Sequence, residues 1–250
     1  MKYKVILALT CLFCCASSCP TPTDHLHRYE RDSYIASYHE PESVDAVVST
    51  VYTPAGEAYY QIEVVAYNST EVAGLTVNKE LFSSLCKENK DEWFRQSDFY
   101  DRFVTDYTQC FVDNYTVDVY SVSQWDESHP AQSSLNDLIW VTGVSFYPFV
   151  QSGYVPYDYL AAKQSSLYDM QHTGLMTYYP IDKPLTDLEP DDLRMCPLSF
   201  SRLKKSPRGV FYIHNICYLY LPKQENTSGE ALVVISTASG KEYQKTVLLE

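Results

Sequence analysis

The sequence predicts a mainly β protein, an antiparallel β-sandwich with a short helical insertion. Three observations carry that prediction. Apolar and polar residues alternate with period two through most of the chain beyond residue 42. Turn-forming residues separate those runs. The regular strand–helix alternation of a doubly wound sheet is absent.

Val44 to Thr53 is rich in Val and Thr and reads as a strand. Pro54-Ala55-Gly56-Glu57 is a turn, and after it Tyr60, Ile62 and Val64 share one face while Gln61 and Glu63 share the other. Residues 79–104 break the pattern. Asn78 suits an N-cap, and Leu81, Phe82, Leu85 and Cys86 recur at helical spacing. A second amphipathic stretch holds Trp93, Phe99, Tyr100, Phe103 and Val104, so one or two short helices are expected here.

Strand signal returns at Tyr115 to Val122 and at Leu138 to Tyr147. A short helix is expected from Tyr157 to Leu167. Residues 182–208 hold Pro184, Pro190, Pro197 and Pro207 and read as a long loop. From Val210 to Leu221 both alternate faces are largely apolar, which predicts a central strand covered on both sides. Ala231 to Thr237, a turn at Ala238-Ser239-Gly240, and Glu242 to Leu249 predict a C-terminal hairpin. About seven strands with intervening turns favour an immunoglobulin-like sandwich.

The N-terminus carries an address. Lys2 and Lys4 precede an apolar run from Val5 to Cys15, then Ala16-Ser17-Ser18-Cys19. The run is too short to span a bilayer, so residues 1–18 read as a secretory signal. The segment also resembles a bacterial lipoprotein signal, which makes Cys19 the candidate lipidation site. Ala16 stands where such signals favour Leu, and the alternative is an ordinary signal with Cys19 as first mature residue. Residues 19–41, polar and carrying Pro20, Pro22 and Pro41, read as a tether. Residues 42–250 are assigned to the sandwich domain.

The chain of 250 residues has a formal charge of −13. Signal removal takes Lys2 and Lys4 and no acid, leaving 17 Lys+Arg against 32 Asp+Glu, or −15. That balance favours solubility, repels anionic lipid and nucleic acid, and argues against a nucleic-acid partner. Four cysteines remain beyond Cys19: Cys86, Cys110, Cys196 and Cys217. In an exported protein an even number permits two disulfides. Sequential pairing, Cys86–Cys110 and Cys196–Cys217, is expected because near neighbours close first. Four buried thiols are the alternative.

Candidate chemistry is sparse. No Gly-x-Ser-x-Gly elbow, phosphate-cradling glycine loop or His-Glu-x-x-His motif occurs. His25 and His27 fall in the tether and read as solvated. His214 reads as a satisfied histidine beside tyrosines. Asp187, Glu189, Asp191 and Asp192 cluster, but Pro190 interrupts them and the calcium-loop pattern is missing. No catalytic residue, cofactor or metal site is nominated. Asn68, Asn114 and Asn226 begin Asn-x-Ser/Thr triplets, glycan acceptors only in a eukaryotic secretory pathway. Tyrosine is the oddity, 23 against 10 Phe. Tyr147, Tyr154, Tyr157, Tyr159, Tyr168, Tyr178 and Tyr179 suit either half-exposed packing or a surface that stacks on a glycan or peptide. Trp93, Trp125 and Trp140 are expected in the core.

One segment carries a resemblance. Asp126-Glu127-Ser128-His129-Pro130-Ala131 followed by Ser134-Leu135-Asn136-Asp137-Leu138 resembles a stretch in a family of uncharacterised lipoproteins of Bacteroides-type bacteria. The chain departs from it at Gln132, where the family favours Gly, and at Ile139, where it favours Phe. The ending around Ser239-Gly240-Lys241-Glu242-Tyr243 is also similar. The resemblance implies export, a lipid anchor and a bacterial outer-membrane location, and it brings no activity. The expectation is an envelope protein, anchored through Cys19, whose domain is a non-catalytic binding or structural module. A secreted glycan hydrolase and a viral or eukaryotic glycoprotein that binds a host ligand are the alternatives.

Overall fold

Two long strands, β1 (Ser37–Tyr52) and β2 (Ala58–Gly74), pair antiparallel and frame the domain. The computed structural model describes residues 32–94, 108–158, 175–198, 201–206, 209–223 and 229–250. The signal, Cys19, His25, His27, the second helical stretch from 95, Tyr159, Tyr168 and Asn226 lie outside them.

Among the described residues a seven-stranded sheet runs in the order β3-β1-β2-β10-β5-β8, with β9 also paired to β10. Its other members are β3 (Gln109–Phe111), β5 (Trp140–Ser145), β8 (Tyr179–Pro184), β9 (Ser201–Ser206) and β10 (Gly209–Pro222). A three-stranded sheet is built from β4 (Tyr115–Ser121), β11 (Gly229–Thr237) and β12 (Glu242–Leu249), in the order β12-β11-β4. β6 (Tyr157–Asp158) pairs with β7 (Leu175–Met176). Among the described residues there are two short α-helices, α1 (Lys79–Glu88) and α2 (Tyr147–Gln151).

The fold is mainly β and mostly antiparallel, as the alternation predicts. The seven-plus-three division and the parallel β1–β3 pair differ from the four-on-three partition of an immunoglobulin domain. The two sheets share one core. Ile62, Val64, Val141, Leu219 and Leu221 from the large sheet meet Val117, Val119, Val233, Ile235 and Leu249 from the small one. A second cluster is aromatic: Tyr34, Tyr38, Phe82, Phe94, Phe146, Phe149 and Tyr154 pack with Ile35, Cys86, Cys110 and Met195.

Several expectations need correction. The folded unit begins at Asp32, not at residue 42. Tyr34, Ile35 and Tyr38 are buried, and Pro41 lies within β1. Pro41 pairs with Ser69 of β2, and it is tolerated because β1 pairs with β3 only through Ser37–His39, so among the described residues its other side faces no ladder strand. The expected helix at 157 begins instead as β6. The expected loop 182–208 contains the end of β8, a 3-10 turn at Leu185–Asp187, and β9.

β10 is central as predicted, but its faces are not those of simple alternation. A bulge leaves Ile216 unpaired between Asn215↔Val65 and Cys217↔Val64. The extra residue shifts the phase, so His214 and Cys217 both face the core. The C-terminal hairpin forms as read, with Gly240 at φ 86 closing its turn.

The segment carrying the resemblance guards an edge. Leu135 N donates to Val119 O at 2.8 Å, and Ser121 N donates to Ser133 O at 2.9 Å. The Asn136 carboxamide accepts from Val119 N at 2.9 Å and donates to Asp118 at 2.8 Å. Residues 132–136 thereby occupy the free side of β4, which would otherwise offer unpaired backbone groups. Gln132 sits at φ 64. That left-handed backbone conformation favours Gly.

All four cysteines are buried free thiols, the alternative to the two sequential disulfides. Burial pushes Cys86 and Cys196 up to about 12 and Cys110 and Cys217 well above the ordinary thiol value. Such thiols pack as small apolar groups and are poor nucleophiles.

Candidate functional site

The outer face of the large sheet, turned away from the small one, combines aromatic and polar side chains. Strand register sets its rows. Glu63 on β2 pairs with Tyr218 on β10, Tyr218 with Thr142 on β5, and Thr142 with Asp182 on β8. In the next row Ser49, Gln61, Tyr220 and Trp140 follow one another across the strands.

Hydrogen bonds orient these groups. Trp140 Nε1 donates to Asp182 Oδ1 at 2.5 Å, and Gln61 Nε2 donates to the Tyr220 hydroxyl at 3.0 Å. Asn215 Nδ2 donates to the Tyr218 hydroxyl. Tyr157 and Tyr179 pack edge to face at 5.1 Å. Burial raises the Asp182 carboxyl above its usual range, opposed by the Trp140 N–H. Burial and the Asp182 charge raise the Tyr157 phenol.

The middle of the face is buried and its flanks are open. Thr142 is fully buried, while Trp140 is 36% and Val47 is 37% exposed. Thr142 Oγ1 and Asn215 Oδ1 have no hydrogen-bond partner among the described residues. A buried polar oxygen left so is costly unless another group reaches it. An aromatic face flanked by carboxylate and amide groups suits a ligand with apolar C–H faces and many hydroxyls.

Two carboxylates of this face, Glu63 and Asp182, do not form a glycosidase pair. Glu63 and Asp182 are three strand spacings apart, about 14 Å between backbones. Glycoside hydrolysis needs carboxyl groups about 5–9.5 Å apart.

The residues singled out in the sequence fall in several places. Tyr157 packs on Tyr179, which lies on the same side of β8 as the core residue Ile181. Tyr147 packs under the Arg194 guanidinium at 5.0 Å, and Tyr154 is buried and donates to Asp91 at 3.0 Å. Trp125 is in the core as expected, but Trp93 is 82% exposed and Trp140 stands at the surface. Sequence reading missed Trp140, Asp182 and Gln61 as a group, because only register brings three distant segments together.

His214 is buried, with its ring 5.9 Å from Phe111 and Nδ1 3.4 Å from Leu198 O. Nearby, Ser37 Oγ lies 2.9 Å from His39 Nε2, the geometry of a nucleophile and its base. The other ring nitrogen faces Ser69 Oγ at 3.4 Å rather than a carboxylate, and Ser37 is buried. A triad needs an acid at that nitrogen and an accessible nucleophile, so this pair is structural.

The acidic cluster is spent locally. Asp192 accepts from Lys183 at 2.8 Å, and Asp191 accepts from Arg194 and Asn114, each at 3.2 Å. Among the described residues no three His, Cys, Asp or Glu side chains group to hold a metal. Asn114 is committed to Asp191, and Asn68 is held by Glu42 at 2.8 Å and by Tyr212 N at 3.1 Å.

Comparison with protein-family models, with curated proteins and with solved structures finds no match.

Proposed function

We propose that this chain is an exported, lipid-anchored protein of the bacterial outer membrane, held through Cys19, and that its sandwich is a non-catalytic module that binds an uncharged glycan. The anchor rests on residues 1–19 of the sequence. The ligand reading is carried by one observation, the placing of Trp140 and Tyr218 beside Gln61 and Asp182 on one sheet face. Aromatic rings stack on sugar C–H faces, and the amide, hydroxyl and carboxylate groups take sugar hydroxyls. The formal charge of −15 on the mature chain disfavours an anionic ligand on this face, where Glu63 and Asp182 already lie.

The glycoprotein alternative loses support from Asn114 and Asn68, whose side chains are engaged within the fold.

A panel of neutral oligosaccharides and short peptides, screened by calorimetry, tests the ligand. Trp140→Ala is expected to weaken glycan binding by at least about tenfold, the effect of losing one stacking contact of about 1.5 kcal/mol. Thermal stability should change little. Binding unaffected by both Trp140→Ala and Tyr218→Phe would remove this face from the reading. Intact mass of the protein from its host tests the anchor, and an unmodified Cys19 would refute it.

A further inference from the structure

The small sheet has an outer face of its own. Val117, Val119, Val233 and Ile235 turn into the shared core, so the alternate positions face away from it. Register sets them in rows: Thr116–Ser236–Glu242, Asp118–Val234–Gln244 and Tyr120–Leu232–Thr246. A fourth row follows, because Val122 N donates to Glu230 O at 2.9 Å and Glu230 pairs with Leu248. An antiparallel sheet that turns one face to water normally keeps that face polar. Here Val122, Tyr120, Leu232, Val234 and Leu248 are direct or diagonal neighbours across three rows. Val122 is 39% and Leu248 is 54% exposed, and the other three are half-buried.

The charge on this face has one sign. Asp118, Glu230 and Glu242 lie on it, and none of the four rows holds a Lys or Arg. The lysines of the C-terminal hairpin are drawn elsewhere. Lys241 pairs with Glu40 and Lys245 pairs with Asp45 at 3.1 Å, both partners on β1.

Geometry selects the kind of occupant. An incoming strand finds its ladder positions taken, since residues 132–136 pair along β4 and β12 lies against β1. On the face itself an extended peptide would leave its backbone groups unpaired, whereas a helix satisfies its own. The four rows span about 20 Å along the strands, the rise of a helix of about 14 residues. The three strands and the flanking segment are about 14 Å across, enough for a helix about 10–12 Å wide. Charge selects the rest. A second copy of this face would set acids against acids, while a partner with Lys or Arg beside its apolar stripe meets them with opposite charge.

We infer that the outer face of the β12-β11-β4 sheet docks a basic amphipathic helix of a partner protein. Its apolar stripe lies on Leu232, Val234 and Leu248, and its cations meet Asp118, Glu230 and Glu242. The glycan reading uses the outer face of the other sheet, so the two fail separately.

The test uses the full chain without its signal and with Cys19→Ala, and two synthetic helices of about 14 residues. Both carry the same leucine stripe, one completed with Lys and the other with Glu. Calorimetry is expected to show binding of the Leu/Lys helix alone, weakened in about 1 M salt, where the Debye length is about 3 Å. Leu232→Thr with Val234→Thr keeps strand propensity and removes apolar contact, and should weaken binding at least about tenfold. Glu230→Gln with Glu242→Gln should weaken it about threefold and flatten its salt dependence. Glu80→Gln with Glu92→Gln, exposed acids on and after α1, should leave it unchanged. Matching melting curves show that the variants fold. Failure of the Leu/Lys helix to bind overturns the inference. So does an equal loss from the Glu80 and Glu92 substitutions, which would make the attraction diffuse. A dimer of the free chain that Leu232→Thr with Val234→Thr disperses would also overturn it, because the face would then belong to a second copy.

Discussion

The sandwich core and the aromatic cluster are built on different terms. The core takes aliphatic side chains from successive strand positions in both sheets, and backbone ladders satisfy its polar groups. The aromatic cluster gathers a pre-strand segment, α1, α2 and β3, and none of these shares a ladder that could bind them all. Its polar groups are met by side chains instead. Asp91 is fully buried and accepts from Tyr34 N at 2.7 Å, from Ile35 N at 2.9 Å and from the Tyr154 hydroxyl. Arg194 donates to Asn89 at 2.7 Å, Glu88 at 2.6 Å and Asp191 at 3.2 Å, joining the end of α1 to the loop before β9. In the core, stability is spread over many similar contacts. In the aromatic cluster a few polar side chains carry it.

That contrast is most open to attack at Asp91. Asp91→Ala leaves two backbone N–H groups and a phenol without their acceptor in a buried site, and should cost about 3–5 kcal/mol by denaturant titration. A loss below about 1 kcal/mol would mean the cluster does not depend on this carboxylate. Ile62→Ala in the core should cost about 2–5 kcal/mol through lost burial and a residual cavity, with unfolding still a single transition. Arg194→Ala should cost less, about 1–3 kcal/mol, because its partners Glu88 and Asp191 are substantially exposed and keep water. If Arg194→Ala costs more than Ile62→Ala, dispersed and concentrated stabilisation have been assigned to the wrong regions.

The same contrast explains what the sequence discloses. Alternation at Tyr60, Ile62 and Val64, the turn at Gly240 and the two-faced apolar run of β10 are local signals, and each produced its element. Tyr34 and Ile35 show no alternation. Only Asp91, more than fifty positions away, turns that segment into part of the fold, and the domain boundary was therefore read late. The bulge at Ile216 has no turn residue to announce it. The outer-face group of Gln61, Trp140 and Asp182 depends on strand order, and no local spacing records the order of β2, β10, β5 and β8.

A smaller effect probes the edge-guarding segment. Gln132→Gly relieves a side chain held at φ 64, at the expense of a more flexible unfolded chain. A net gain of up to about 1 kcal/mol is expected. A loss would show that the Gln132 side chain contributes more than its backbone strain costs.

The histidines give the smallest effects and the sharpest test, because their signs differ by region. His129 closes the edge-guarding loop, with Nδ1 2.8 Å from Asp126 and Nε2 3.2 Å from Asp137. The Asp126 hydrogen bond leads in raising its pKa, Asp137 adds to this, and burial opposes both. Its stabilising contribution is therefore fully present below the unfolded value of about 6.5 and is lost as pH rises through the higher folded value. His39 and His214 face the core, and burial lowers both, with each other's proximity adding to the effect at His39. Keeping them neutral costs nothing above about 6.5, and stability is lost as pH falls toward their lower folded values. Denaturant titrations of the parent, His129→Gln and His39→Gln between pH 5 and pH 9 separate the two. The deficit of His129→Gln should shrink as pH rises, and that of His39→Gln should shrink as pH falls. Parallel curves for the two variants would mean that neither ring senses the surroundings described for it, and that the loop and the core are held by packing alone.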